Sequence, residues 1–407
     1  MSVIDKPTPA EHATEHGVDA LIDELLQSFP PASTDAVTFL GAQFDRGLAW
    51  VHFPVGHGGL DLPPKSQSVI DARLRAAGAP QASSRNPIGH GMGAPTVVSW
   101  GSDEQKNRYL RPMFTGEEVW CQLFSEPGAG SDVAGLSSSA IKDGEEWIIN
   151  GQKVWTTLAH LARWGMLVAR TDPTSPKHSG LTYFVVDMKG PGVEVRPLRQ
   201  MTGDAEFNEV FFTDARIPDE ERLGNVGDGW RVALTTLMNE RVSIGGAVIP
   251  RGGGQIAQAV RLYQEYKGRM GHAQRGAARD QLMSLWVAAE ATRLTNLRAS
   301  ANRKMGTPGP EGSTGKLAFA ELNQAISEFC MNLMGADALL FDEYNLHRSG
   351  AMGGVNPQYQ FLRNRANSIE GGTSEVMRNI LGERVLGLPG DVRTDKDRPW
   401  LEVPRNY

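Results

Sequence analysis

The hydrophobic pattern of this chain changes period twice, and nothing else in it constrains the fold as much. Before residue 119 apolar residues recur at helical spacing. Val18, Leu21, Ile22, Leu25, Leu26 and Phe29 form one stripe, which Pro30-Pro31 stops. Gln67–Ala77 and Pro95–Trp100 repeat that pattern, and Asp103-Glu104 opens a further helix with acidic residues in its first turn. From about 119 to 228 short β-rich runs take over: Ala140–Ile149, Met166–Arg170, Leu181–Asp187, Val193–Arg196 and Glu209–Phe212. Asp143-Gly144 predicts a hairpin turn, and Asn150-Gly151 predicts a second one directly after it. From Gly229 the helical period returns, with a stripe of Trp230, Ala233, Leu234, Leu237, Ile244 and Val248. Gly306–Ser313 reads as a Gly/Pro-rich loop, and Phe319–Leu340 and Thr373–Leu386 read as helices. An α+β chain follows: an N-terminal helical domain (16–118), a small antiparallel β barrel or sandwich (119–228) and a C-terminal helical domain (229–390). Residues 1–15 read as a polar arm, and 391–407, charged and punctuated by proline, as a surface tail.

Composition excludes several function classes. A length of 407 residues exceeds one core and calls for two or three domains. The net charge of −6 supplies no basic field for nucleic acid. Cys121 and Cys330 are too few for a disulfide framework, lack metal-ligand spacing, and read as buried thiols. His52, His57 and His90 stand among glycines without ligand spacing. No apolar run is long enough to span a membrane. The first residues show neither a signal-peptide core nor a myristoylation glycine, and Arg405-Asn406-Tyr407 is no peroxisomal address. The expected location is cytoplasmic.

Three stretches carry chemistry. In Trp120–Asp132 an apolar run through Leu123 and Phe124 leads to Ser125-Glu126. Pro127, Gly128 and Gly130 then force a turn toward Ser131 and Asp132. Glycines there let backbone N–H groups approach something flat or anionic, although an ordinary strand exit has the same composition. In Asn150–Thr157, Trp155 and Thr157 share a strand face, an indole beside a hydroxyl, suited to an aromatic heterocycle. Taken alone, Trp155 reads more readily as a core residue. In Ile369–Arg378 a glycine turn feeds a helix.

Phe-Ser-Glu-Pro-Gly-Ala-Gly-Ser-Asp, Gly-Gln-Lys-Val-Trp-Thr-Thr and Gly-Thr-Ser-Glu-Val-Met-Arg, in that order, resemble the signatures of the acyl-CoA dehydrogenase family over roughly residues 50–390. The resemblance implies a helical bundle, a β barrel and a second four-helix bundle. It also implies FAD, an acyl-CoA substrate, and electron-transfer flavoprotein or a similar electron acceptor. Such enzymes remove the α-proton and β-hydride of an acyl-CoA thioester, leave a trans-2-enoyl-CoA, and pass the hydride to N5 of FAD. By match, Gln122, Phe124, Ser125, Gly130 and Ser131 would line the isoalloxazine and the pantetheine channel, with Ser131 also meeting substrate. Trp155 and Thr157 would contact the ring. Thr373 and Glu375 would meet FAD at the start of the last helix. A homotetramer, or a heterotetramer with a related chain, is implied because members share FAD between subunits.

The departures from the pattern matter. The family's Arg-x-x-Phe-Gly is Lys267-Gly268-Arg269-Met270-Gly271 here, so no arginine is assigned to the intersubunit FAD clamp. Its Gln-x-x-Gly-Gly becomes Asn332-Leu333-Met334-Gly335-Ala336, which leaves Asn332 and Gly335 as backbone contacts to FAD. Many members carry the catalytic glutamate directly before the Gly-Thr of the last signature, a position held here by Gly371, with Glu370 one residue earlier. Isovaleryl- and long-chain-type members place it in a Glu-Arg pair early in the last domain, where this chain has Glu240-Arg241. On a helical wheel Arg241 falls roughly 30° and Glu240 roughly 70° from the centre of the Trp230–Val248 stripe. Glu240 is therefore the expected base, Glu370 the alternative, and Glu240, Arg241 and Gly371 the expected substrate contacts. Gly245 and Gly246, just after that base, suggest room for a branched, aromatic or polycyclic acyl group. Two further readings stay open at this point: an oxidase or flavin monooxygenase on the same fold, and a non-catalytic partner subunit.

Overall fold

The computed structural model describes residues 15–245, 249–303, 312–341, 356–393, 395 and 397–404, with backbone alone at 15–16, 241–245 and 302–303. The chain divides into two compact units. One comprises Met1–Arg196, Asn208–Thr236 and Asp395–Tyr407, the other Pro197–Phe207 and Leu237–Thr394.

The first unit opens with helices α1 (Glu15–Ser28), α2 (Ala36–Asp45), α3 (Gln67–Ala76), α4 (Ala82–Arg85), α5 (Ala94–Trp100) and α6 (Asp103–Thr115). The α1 stripe buries Val18, Ile22 and Leu25, as its spacing requires. α6 starts with a capping box: the Ser102 hydroxyl accepts from Gln105 N, and the Gln105 side chain accepts from Ser102 N. The sheet follows, with β1 (Trp120–Leu123), β2 (Ser139–Asp143), β3 (Glu146–Thr157), β4 (Trp164–Arg170), β5 (Leu181–Asp187), β6 (Val193–Pro197), β7 (Phe207–Pro218) and β8 (Arg222–Leu223). Its order is β6-β7-β3-β2-β4-β5-β8, and β1 pairs with β4. The sheet is mixed where an antiparallel one was expected, because β1 runs parallel to β4 in register Trp120↔Trp164. The β2–β3 hairpin lies between these strands in sequence and supplies the length that a parallel connection needs. β4 is buried at every position, which explains its unbroken apolar run, and Leu123, Trp147, Ile149, Leu167, Phe184, Val186 and Phe212 fill the core.

The second expected hairpin does not form. Asp143↔Glu146 closes the first turn, but β3 then runs straight through Asn150-Gly151. A Cβ at Gly151 would lie 2.4 Å from Ser138 Oγ and 2.7 Å from Ser138 Cα, so glycine is needed for a close backbone approach, not for a reversal. Asn150 is engaged sideways: its Nδ2 donates to Asp214 Oδ1 at 2.9 Å, and its Oδ1 accepts from Asp214 N at 2.9 Å.

Helix α7 (Gly229–Gly245) begins in the first unit and ends in the second. Its buried row is Val232, Ala233 and Thr236, while Leu234 is exposed, so the Trp230–Leu234–Leu237 stripe does not mark the inner face. Polar contacts set the face instead: Thr236 Oγ1 lies 2.9 Å from Thr96 Oγ1 and 3.0 Å from the Tyr183 hydroxyl. A hydrophobicity pattern does not register such contacts. Glu240 stands four residues after Thr236 and seven after Ala233, on the row of the observed face. Val248, Gly246 and the Arg241 side chain lie outside the described residues.

The second unit also holds α8 (Gln255–Tyr266), α9 (His272–Arg303), α10 (Gly312–Met334), α11 (Pro357–Arg363) and α12 (Ser374–Ile380). Ile256, Tyr263, Leu282, Ile326, Phe329, Cys330 and Leu333 form its core. The expected helix at 319–340 is α10, continued by a 3₁₀ turn at Gly335–Leu339, and α12 continues as a π turn at Leu381–Val385. Most of the expected 306–313 loop lies outside the described residues, and Gly312-Ser313 already belong to α10. Both cysteines are free and buried. Among the described residues no helix is long and apolar enough to cross a membrane.

Candidate functional site

In the first unit the two signature stretches are welded together. β1 delivers Leu123 and Phe124 into the core, where the Phe124 ring meets Tyr183 edge-on at 5.9 Å. The chain then turns: Glu126 N donates to Ala129 O and Ala129 N to Glu126 O, both at 3.0 Å, and Pro127, Gly128, Gly130 and Ser131 stand exposed as an arch. The Glu126 side chain points inward. Its Oε1 accepts from Lys153 Nζ at 2.8 Å and from Ser138 N at 2.9 Å, and its Oε2 accepts from Ser137 N at 2.6 Å. Lys153 lies in β3 with its side chain fully buried, and it also donates to Phe124 O at 3.1 Å. Val154 N donates to Ser125 O at 2.9 Å. Burial pushes the Glu126 carboxyl up, but the facing Lys153 charge and the hydrogen bonds from Lys153, Ser138 and Ser137 outweigh it, so the carboxyl sits below its ordinary range. The sequence reading gave no role to this pair. The signal was a lysine two residues before Trp155, on the inner parity of a strand, where a charge needs a partner.

Trp155 is not a core residue. It is 58% exposed and its backbone is left-handed, with φ of +60°. The alternation of β3 slips by one residue there: Trp147, Ile149 and Lys153 face inward, and then Thr156 does. Such a bulge re-aims a side chain, and backbone strain of this kind persists where the surroundings impose it. The slip keeps Trp155 and Thr157 on the outside, and Thr157, Gln122 and Ser125 are half-buried. A Cβ at Gly130 would meet nothing within 4 Å. A flat indole, hydroxyls and an open glycine arch are a donor set that fits the isoalloxazine of FAD.

In the second unit the last signature is a turn of two left-handed glycines, Gly371 (φ +61°) and Gly372 (φ +92°), where other residues are strained. The Thr373 hydroxyl accepts from Val376 N at 3.2 Å and caps α12. Glu375 is exposed. Its own backbone N–H and then the Thr373 hydroxyl hold its carboxyl below the usual range. The buried Ser374 hydroxyl has no partner among the described residues. Glu370 is held in a fork: Arg363 Nη1 donates to its Oε1 at 3.1 Å and Nη2 to its Oε2 at 3.0 Å, and Asn367 Nδ2 donates to Oε1 at 2.9 Å. Below the turn, the fully buried Lys316 donates to Asn367 O at 2.7 Å and Gly372 O at 2.5 Å. Burial lowers the Lys316 ammonium, against the carboxylates of Glu370, Glu240 and Glu375. The Glu240 carboxylate thus acts on the same buried cation that holds the signature turn. Asn332 lies exposed at the other end of α10, about 24 Å from Lys316 at 1.5 Å per helical residue, with exposed Gly335 just past the helix end, so one copy of the chain does not bring them to Thr373.

Comparisons with known proteins identify the family. The acyl-CoA dehydrogenase N-terminal domain matches residues 27–117, the middle domain 121–215 and the C-terminal domain 227–386. The chain is 38% identical over 347 residues to acyl-CoA dehydrogenase FadE34 of Mycobacterium tuberculosis, covering 85% of this chain but only 45% of FadE34. It is 38% identical over 364 residues to acyl-CoA dehydrogenase IpdE1 of Mycolicibacterium smegmatis, covering 85% of this chain and 86% of that protein. The ChsE4–ChsE5 complex of Mycobacterium tuberculosis superposes with a TM-score of 0.68 at 25% identity, over 96% of this chain and all of the matched one. The chain belongs to the acyl-CoA dehydrogenase family of FAD-dependent oxidoreductases.

Proposed function

We propose that this FAD-dependent acyl-CoA dehydrogenase desaturates its thioester to the trans-2-enoyl-CoA with Glu240 as the base that takes the α-proton. One observation carries the choice of base. Glu370, the competing carboxylate, is spent on a bidentate fork with Arg363 plus a hydrogen bond from Asn367. Glu240 continues the buried row of α7, and its charge acts on Lys316 beside Gly372. A base must reach its proton before its pKa matters. FAD, when bound, supplies the acceptor for the β-hydride at N5. Trp155, Thr157, Gln122 and Ser125 would hold the ring, Gly130 and Ser131 would let the thioester pass, and Thr373 and Glu375 would meet the remainder of the cofactor. The test pairs two FAD-loaded variants. Glu240→Gln should lose flavin reduction by roughly 10³-fold or more, while Glu370→Gln keeps most of it. The reverse pattern moves the base to Glu370.

An assembly of related chains is the second part of the reading. Asn332 and Gly335 lie far along α10 from Thr373, which suits a cofactor shared between copies. FadE34 is about twice the matched length, and ChsE4–ChsE5 is a complex of two chains, which favours a heterotetramer with a related chain alongside a homotetramer. Light scattering on the flavin-replete protein, with and without a co-expressed related chain, decides between them. Helical domains at 16–118 and 229–390 around a β domain at 119–228, a cytoplasmic location and electron-transfer flavoprotein or a similar acceptor complete the proposal. Gly245, just after the base, favours a branched, aromatic or polycyclic acyl group. A panel in which long straight-chain acyl-CoAs react best would overturn that part.

A further inference from the structure

The family match ends at residue 386, yet from Asp395 onward the chain belongs to the first unit. Trp400 N donates to Ser175 O at 3.0 Å and Leu401 N to Pro173 O at 3.2 Å, so residues 399–401 lie along the loop between β4 and β5. The Trp400 indole is buried, with the Arg170 guanidinium 4.3 Å from its ring centre, and its Nε1 donates to Gly135 O at 3.2 Å. Arg170 in turn donates to Ala134 O at 2.6 Å and Leu136 O at 3.1 Å. Lys177 closes the contact: its ammonium lies 2.9 Å from Asp132 Oδ2 and 2.5 Å from Asp395 Oδ2. Trp400 through its indole, Arg170 and Lys177 each bond a residue of the stretch Asp132–Leu136. That stretch is the downstream foot of the exposed arch Pro127–Ser131. The upstream foot is the Glu126–Lys153 pair. An exposed glycine-rich arch has few contacts of its own, so its shape is that of its two feet.

We propose that Trp400 and Lys177 are positioning residues for the arch, and that the C-terminal segment is a strap holding it in the form that admits the acyl-CoA thioester. The inference rests on the reading that Gly130 and Ser131 meet the ligand. A strapped arch binds without first being ordered. A released one loses that ordering cost from affinity and leaves the chemical step untouched.

The experiment uses the full-length, FAD-loaded protein and three variants: Trp400→Ala, Trp400→Phe and Lys177→Met. Hydrogen exchange of the peptide over residues 127–136 reads the arch directly, and acyl-CoA affinity and flavin reduction at saturating substrate read its consequence. Trp400→Ala and Lys177→Met should each speed exchange of that peptide roughly tenfold. They should weaken acyl-CoA binding by roughly tenfold, the equivalent of about 1.4 kcal/mol, with the saturated reduction rate held within about threefold. Trp400→Phe, which keeps the ring over Arg170, should restore most of both. Unchanged exchange in both Trp400→Ala and Lys177→Met overturns the strap. Faster exchange with unchanged affinity overturns its role in positioning. Gly130→Val separates this from failure of the underlying reading. If a branched side chain in the arch leaves acyl-CoA and flavin binding intact, the arch does not meet the ligand, whatever the exchange data say of the strap.

Discussion

Lys153→Met tests the upstream foot of the arch. In the native protein the Lys153 ammonium is fully buried, 2.8 Å from Glu126 Oε1 and 3.1 Å from Phe124 O. Methionine fills nearly the same volume but leaves Glu126 charged and almost fully buried, still accepting from Ser137 N and Ser138 N. Removing one partner of a buried pair costs about 3–5 kcal/mol, a large part of the roughly 5–15 kcal/mol that holds a protein of ordinary stability. Glu126→Gln in the same chain removes the stranded charge, so the double variant should recover most of the loss. The pH dependence has a defined sign. With Lys153 present the native Glu126 carboxyl lies below its unfolded value, so its contribution is complete above about pH 4.3 and is lost as pH falls through the native value. Without Lys153, burial, the largest influence, is opposed only by the Ser137 and Ser138 hydrogen bonds; the carboxyl should rise, with the deficit full at neutral pH and shrinking as pH falls toward about 4.3. Urea midpoints of the three proteins at pH 7 and pH 5, with flavin absorbance recorded in parallel, make the measurement. A Lys153→Met midpoint loss worth less than about 1 kcal/mol would refute the buried-pair argument, as would a double variant no more stable than the single one.

Trp155→Ala should release FAD with little change in apo-protein stability, because the side chain is largely exposed; a loss of several kcal/mol on unfolding would return Trp155 to the core. Lys316→Met should leave the Asn367 and Gly372 carbonyls without their buried donor, cost about 2–3 kcal/mol, and loosen the 369–373 turn in hydrogen exchange. His90, packed between Trp50 and Phe114, has its pKa pushed down by burial to about 4. The unfolded chain therefore takes that proton first, and stability should fall by on the order of 2–3 kcal/mol between about pH 6.5 and pH 4, a slope that His90→Phe should flatten.

The residues alone determine a great deal here. The switch from helical to strand period near 119 and back near 229 follows from which faces each element must bury, and it is visible without coordinates. So are the Asp143-Gly144 turn and the α1 stripe, which depend on neighbours in sequence. The tertiary structure decided what depends on neighbours in space. Asn150-Gly151 has the composition of a turn, but Ser138 passes against Gly151 and keeps the strand straight. The inner face of α7 is set by hydroxyl contacts among Thr96, Tyr183 and Thr236, which carry no hydrophobic signal, and that face rather than the apolar stripe aligns Glu240. A charged, proline-rich end reads as a surface tail by composition; what it lies against is decided in space, where Trp400 and Asp395 meet Arg170 and Lys177 more than two hundred residues upstream. Local sequence encodes periods and turns. Which buried charge finds which partner is decided only when the chain has closed on itself.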